Sequence, residues 1–294
     1  MKIRYAVPAI AAATVLVLAG CTNTEGEGAS AAPDQDITVD DAAAALLPDD
    51  IRDAGVLRIG SDLTVPPNEY KDSNGDPAGW GVQLAEAVAA KLGLEPEWEV
   101  LGFDSILPRI EEGAVNVGDA SFTDTVERQK TVDFVNYYVA GSQWAAAIGN
   151  DIDPDDACGL TVAVAQGTIQ HTDELPARSD ECVAAGNDPI EILVLDDQPD
   201  LVDAVVQGRA DAFSADSPMS GDAALKRGEE IHLVGGLFAT APYGFATQKD
   251  SDVTAAVQAA LQSLIDDGTY LEILTAAGVE AGAVEKAAIN AGTE

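Results

Sequence analysis

Three cysteines and two histidines carry the strongest intrinsic chemistry in this 294-residue chain. Cys21 closes the tetrapeptide Leu18-Ala19-Gly20-Cys21. That tetrapeptide has the form of a lipobox, in which the cysteine is acylated and becomes the new N-terminus. Cys158 and Cys182 remain. In an oxidising, extracytoplasmic compartment two remaining cysteines read as one disulfide. Closing a loop of that length stabilises by roughly 3 kcal/mol in the chain-entropy description. His171 and His232 share no ligand spacing with each other or with the cysteines, so no metal site and no cofactor are expected. Two polar loops complete the set: Ser121-Phe122-Thr123, and Ser214-Ala215 running into Asp216.

Both loops follow the same local plan. A helix over 104–112 ends at Gly113, and Val115 to Val117 then enters the first loop. Asp104 is the expected N-cap. A helix over 200–207 ends at Gly208, and Ala210 to Phe213 enters the second. Two such units offering polar loops from their strand ends would meet at a cleft. Elsewhere, Val56 to Ile59, Glu97 to Val100 and Leu160 to Ala165 read as strands. Residues 82–92 and 252–266 read as amphipathic helices. The alternation argues an α/β architecture with largely parallel sheets.

The N-terminus explains where these elements work. Lys2 and Arg4 precede an apolar run, Ala6 to Ala19, of signal-peptide length and too short to span a bilayer comfortably. Residues 1–20 therefore read as a signal peptide. Residues 21–50, rich in Gly, Ala, Ser, Thr and acid, read as a lipidated flexible tether with a short helix possible over 40–47. The expected location is extracytoplasmic, with the membrane reached only through the lipid anchor. Fifteen Lys and Arg against 51 Asp and Glu leave a net charge of −36, which repels phosphate backbones and excludes nucleic acid as a partner.

From Gly55 onward the text resembles the family-3 solute-binding proteins of amino-acid ABC importers. The matching residues are Gly55-Val56-Leu57-Arg58-Ile59-Gly60-Ser61-Asp62, Pro66-Pro67, Lys71-Asp72-Ser73-Asn74-Gly75, Gly79-Trp80 and Phe103-Asp104-Ser105. Thr125-Val126-Glu127-Arg128, Val132-Asp133-Phe134, Gln166-Gly167-Thr168, Asp216-Ser217-Pro218, Pro242-Tyr243-Gly244 and Asp267-Gly268-Thr269-Tyr270 continue the match. The resemblance implies the type II periplasmic-binding-protein fold. In it two α/β lobes are joined by two crossover strands, with a ligand cleft between them. Lobe 1 would hold residues 51–145 plus 241–294, and lobe 2 residues 146–240, including both Cys158 and Cys182.

It also implies a site for a small amino-acid-like ligand. Arg128 matches the carboxylate-binding arginine, whose planar fork suits a carboxylate. Ser121 and Thr123 fall where hydroxyl and backbone groups surround the zwitterion. Asp216 matches the acceptor of the ammonium, and Thr168 a second carboxylate contact at a helix start. Phe103 would lie against the ligand side chain. Asp62 and Asn68 would meet a polar or basic tail. Read without the family, Arg128 is a surface charge beside Glu127 and Lys130. Asp216 is then a helix N-cap before Ser217-Pro218, Thr168 another cap, and Phe103 core. The sequence departs from the family pattern at Val65, Asn68, Gln83 and Ile169, and adds acid at Asp119 and Asp124. The function implied is a monomeric receptor handing an amino acid to an ABC transporter permease. A ligand-sensing lipoprotein and a dehydratase-like enzyme on the same fold are the alternatives; His171 is the one imidazole placed for catalysis in the latter.

Overall fold

The structure, a computed structural model, describes residues 1–2 and 37–293. The signal-peptide reading, Cys21 and most of the tether lie outside the described residues.

Packing begins earlier than the sequence suggests. Helices α1 (Asp41–Ala44) and α2 (Asp49–Ala54) precede strand β1 (Val56–Ser61). Asp40 caps α1 by accepting from the amides of Ala42 and Ala43 at 3.0 and 3.1 Å. The buried side chains of Ala43 and Leu47 join the main core. Residues 37–50 are thus part of the folded body: two small apolar groups at helical spacing suffice when a cap fixes the helix against it.

Strands β2 (Thr64–Val65), β3 (Glu69–Lys71) and β4 (Pro77–Ala78) form a small antiparallel sheet. Helix α3 (Trp80–Lys91), β5 (Glu95–Val100), α4 (Phe103–Glu111) and β6 (Val117–Gly118) follow. Helix α4 is capped by Gly102, without a side-chain bond, and not by Asp104. Asp104 is free instead to accept from Gln166 Nε2 at 2.7 Å. The long strand β7 (Val132–Ala147) leads to β8 (Thr161–Ala165), α5 (Leu175–Ala184) and β9 (Glu191–Leu195). Then come α6 (Gln198–Val206), β10 (Ala212–Asp216), α7 (Ser217–Lys226) and the long strand β11 (Ile231–Gln248). Helices α8 (Asp252–Asp267) and α9 (Thr269–Ala277) and strand β12 (Ala283–Ile289) close the chain.

The main sheet runs β5-β1-β6-β11-β7-β10-β8-β9, with β12 also on β7. The outer pairs β1/β5, β1/β6, β8/β9 and β8/β10 are parallel, whereas β7, β11 and β12 are antiparallel. The sheet is therefore mixed and not largely parallel. β7 and β11 pair along nearly their whole length, from Ile231 with Ala147 to Gln248 with Val132. The register breaks between Val234 and Phe238, and again between Phe238 and Ala241. Those breaks separate the half that holds β5, β1 and β6 from the half that holds β10, β8 and β9. Cys158 and Cys182 form a disulfide in the second half. No helix among the described residues is long and apolar enough to cross a membrane.

Candidate functional site

The loop carrying Ser121 and Thr123 faces Asp216 across one cavity. Ser214 to Asp216 are the end of strand β10 and not a loop, and of the three only Asp216 lines the cavity. The cavity is lined by Asp62, Thr64, Phe103, Ser121, Thr123 and Arg128 from the first half, and by Gln166, Thr168, Gln170, Asp196 and Asp216 from the second. Seven of the eight ligand residues expected from the sequence are brought together here. Asn68 is not: it is fully buried, and both ends of its amide are used inside the protein. Its Nδ2 donates to Ser121 Oγ at 2.8 Å, and its Oδ1 accepts from Trp80 Nε1 at 2.7 Å. Asn68 therefore sets Ser121 from behind and does not touch the cavity. Gly79 makes this arrangement possible; a Cβ there would lie 2.0 Å from the Asn68 carbonyl oxygen, at a φ of +115°.

Arg128 is the one cation lining the cavity among the described residues. Its Nη1 donates to the Thr123 carbonyl at 2.8 Å, and its Nη2 to the Gly167 carbonyl, in the opposite half, at 3.1 Å. The guanidinium also lies over the rings of Phe103 and Phe122, at 5.7 and 5.6 Å from their centroids. Burial lowers its pKa while the charges of Asp216 and Asp173 oppose that shift. Arginine remains charged under any such shift. The surface-charge reading of Arg128 does not hold in this geometry.

Asp216 stands at the N-cap position of α7, yet its side chain makes no capping bond. One oxygen accepts from Tyr243 Oη and the other from Gln170 Nε2, both at 2.6 Å. Burial raises its pKa, against these two bonds and the charge of Arg128. Thr168 makes the bonds of a cap and also stands at the cavity. It lines the cavity, and its Oγ1 accepts from the His171 amide at 3.4 Å while donating to the Ala165 carbonyl at 2.8 Å. Ser121 sits at φ +50°, a region rarely used by residues with a side chain. Such strain is typical of functional loops.

The remaining acids divide sharply. Asp62 Oδ2 accepts from Thr64 Oγ1 at 3.0 Å, while Oδ1 has no partner. Burial pushes the Asp62 carboxyl up to about 6. Asp119, one residue from the lining, is fully buried against Glu69. Asp124 is also buried, but it is satisfied: it accepts from Gln129 Nε2, Asn136 Nδ2 and the Gly292 amide at 2.6, 2.9 and 2.9 Å. The sequence did not single out Gln166, Gln170, Asp196, Gln198 or Met219 as lining residues. Gln166 and Asp196 come from turns, whose polar character is ordinary, and Gln170, Gln198 and Met219 from the first turns of helical segments, where nothing in their residue types marks a site.

Residues 57–277 match the model of the bacterial extracellular solute-binding proteins, family 3. The arginine-binding protein ArgT of Corynebacterium glutamicum is 40% identical over 284 residues, which cover 95% of this chain and 92% of that one. An ancestral arginine-binding protein, solved bound to arginine, superposes with a TM-score of 0.69 at 30% identity, covering 75% of this chain and 97% of its own. An ancestral amino-acid-binding protein described as a precursor of cyclohexadienyl dehydratase gives 0.68 at 29%, covering 79% and 98%. The architecture is the type II periplasmic-binding-protein fold. With a cavity between two α/β halves and a family match over most of its length, the chain belongs to the family-3 bacterial extracellular solute-binding proteins.

Proposed function

We propose that this protein captures a cationic amino acid, L-arginine foremost, and delivers it to the permease of an ABC importer. The observation that carries the reading is the charge of the cavity wall: three acids, Asp62, Asp196 and Asp216, against the single cation Arg128. A zwitterion occupies one acid and the cation. The acids left over call for a second positive charge on the ligand. Arg128 binds the α-carboxylate, assisted by Thr123 and Thr168. Asp216 takes the α-ammonium, and Asp62, with its open oxygen, takes the side-chain cation beside the Phe103 ring. The similarity to arginine-binding proteins over nearly the whole chain supports the same ligand.

The two halves act as lobes, with β7 and β11 as the crossover strands and the register breaks near Phe238 as the hinge. Lobe 1 is residues 51–145 plus 241–294, extended at its start by residues 37–50, and lobe 2 is residues 146–240. Acyl groups on Cys21 hold a monomer at the membrane. A catalytic role is disfavoured by His171: its Nδ1 accepts from the Gly167 amide at 3.1 Å, which ties the imidazole to its own loop. Titration calorimetry with L-arginine, L-lysine, L-citrulline and L-glutamate tests the reading. Arginine is expected to bind tightest, and a preference for citrulline or glutamate would refute it.

A further inference from the structure

Behind Ser121 lies a group of polar atoms that the ligand contacts above do not use. Glu69 and Asp119 are both fully buried and face each other. Neither oxygen of Asp119 meets a donor. Glu69 accepts from Ser121 Oγ at 2.9 Å to Oε2 and 3.2 Å to Oε1. Two buried carboxyls in contact, with no donor between them, cannot both be ionised; one proton must lie between them.

The surroundings offer no other neutralisation. The charged groups facing the pair are Asp62 beyond β1 and Glu86 on α3, both acids. The phenols of Tyr137 on β7 and Tyr243 on β11 also face Glu69. The cation of α3, Lys91, is taken by Asp267 at 2.7 Å. Burial drives both carboxyls up, Asp119 to about 7 and Glu69 well above its ordinary value, where the charge of Asp119 adds to the effect.

The pair acts on the cavity through Ser121. A serine hydroxyl has one proton, and here it points at Glu69. One lone pair accepts from Asn68. Towards a ligand Ser121 can then offer only an acceptor, which suits N–H donors and rejects acceptor side chains. We infer that Glu69 and Asp119 form a proton-sharing acid pair behind Ser121 that sets the preference of the cavity for a cationic side chain and makes capture of that side chain release a proton. Asp119 is in this sense a positioning residue, acting through Glu69 and Ser121. The inference rests on the cationic-ligand reading proposed above.

The test is calorimetry of the full protein at pH 7.5 in two buffers of different ionisation enthalpy, with L-arginine and its neutral isostere L-citrulline. At that pH Asp62 is largely ionised already, and Asp216 meets the same α-ammonium in both ligands, so a release seen with arginine and not with citrulline comes from the pair. Arginine is expected to release on the order of half a proton per site, and citrulline none. In Asp119→Asn an amide faces Glu69 in place of the second carboxyl, so no proton is shared between two acids. The release should vanish, and the arginine-over-citrulline affinity ratio should fall by about tenfold, the equivalent of one pKa unit of coupling. Glu69→Gln, made in parallel, should abolish the release in the same way, and melting curves establish that both variants fold. Arginine that binds with the same proton count as citrulline, or with an unaltered count in both variants, overturns the acid pair and leaves the ligand reading intact. Arginine that does not bind at all overturns the ligand reading, and the pair with it.

Discussion

Arg128 and Asp216 are the two residues on which a zwitterion would depend most, and each is already held from both halves: Arg128 by the Thr123 and Gly167 carbonyls, Asp216 by Gln170 and Tyr243. Removing either leaves one ligand charge desolvated without its partner, a loss of about 2–5 kcal/mol, or roughly 30- to 5,000-fold in affinity. Arg128→Ala and Asp216→Ala should each show it by calorimetry, and Arg128→Lys should also weaken binding because an ammonium lacks the planar fork. Asp62 predicts a pH dependence with two opposed signs. Its folded pKa of about 6 lies above the unfolded value near 3.8, so the folded state holds a proton that the unfolded state has lost. That contribution to stability is complete at low pH and is lost as pH rises from about 4 to about 6. Arginine affinity should move the other way and weaken below pH 6, as the carboxylate that holds the cation is protonated. Melting curves of the empty protein and titrations from pH 5 to 8, in parent and Asp62→Asn, check both trends. That Arg128 and Asp216 stand at one cavity was legible because each sits inside a motif of the family pattern. Asn68 was misplaced because the family resemblance puts its position beside the ligand but cannot show that Trp80 and Ser121 consume its amide. Asp119 was noted as added acid, but its contact with Glu69 joins segments about fifty positions apart and leaves no local pattern.

At the scale of elements, the C-terminal segment after β12 is a brace for the binding loop. The Asn290 amide side chain bonds Asp133, the Ala291 amide donates to Asn136 Oδ1 at 3.0 Å, and the Gly292 amide donates to Asp124. Gln129 Nε2 bridges Asp124 and the Gly292 carbonyl. Asp124 thereby ties residues 290–292 to the loop that carries Thr123 and Arg128. A side chain at Gly292 would put its Cβ 1.8 Å from the Asp124 carbonyl oxygen. Gly292→Ala should therefore detach the segment, lowering the melting temperature by several degrees, as expected for the loss of buried hydrogen bonds worth about 1 kcal/mol each. Arginine affinity should fall with it; a variant with unchanged melting and unchanged affinity would show that the brace is idle. Helices α3, α6 and α8 were readable from their apolar periodicity. The long strands β7 and β11 were not readable by periodicity: runs such as Ala145-Ala146-Ala147 and Gly235-Gly236 have weak strand propensity, and pairing with each other is what holds them extended. Helix α1 falls within the short helix considered over 40–47, whereas α2 was hidden in a stretch whose acid and alanine content matches that of a linker.

For the whole molecule, the family pattern carried the two-part architecture, and the disulfide followed from compartment and cysteine count alone. What neither could convey is how firmly the two parts already touch. Arg128 Nη2 reaches the Gly167 carbonyl across the cavity, and Gln166 Nε2 reaches Asp104 at its rim. On the function proposed, both bonds break before a ligand enters, and Arg128 exchanges a carbonyl for the ligand's carboxylate. Capture is then a two-step event in time. The parts separate at a rate set by the protein, and the solute is taken up only afterwards. In stopped-flow mixing, the observed rate should level off at high arginine concentration instead of rising in proportion to it. Gln166→Ala, which removes the rim bond, should raise that plateau. A rate that stays linear in arginine up to millimolar concentration would mean that the parts open far faster than the solute arrives.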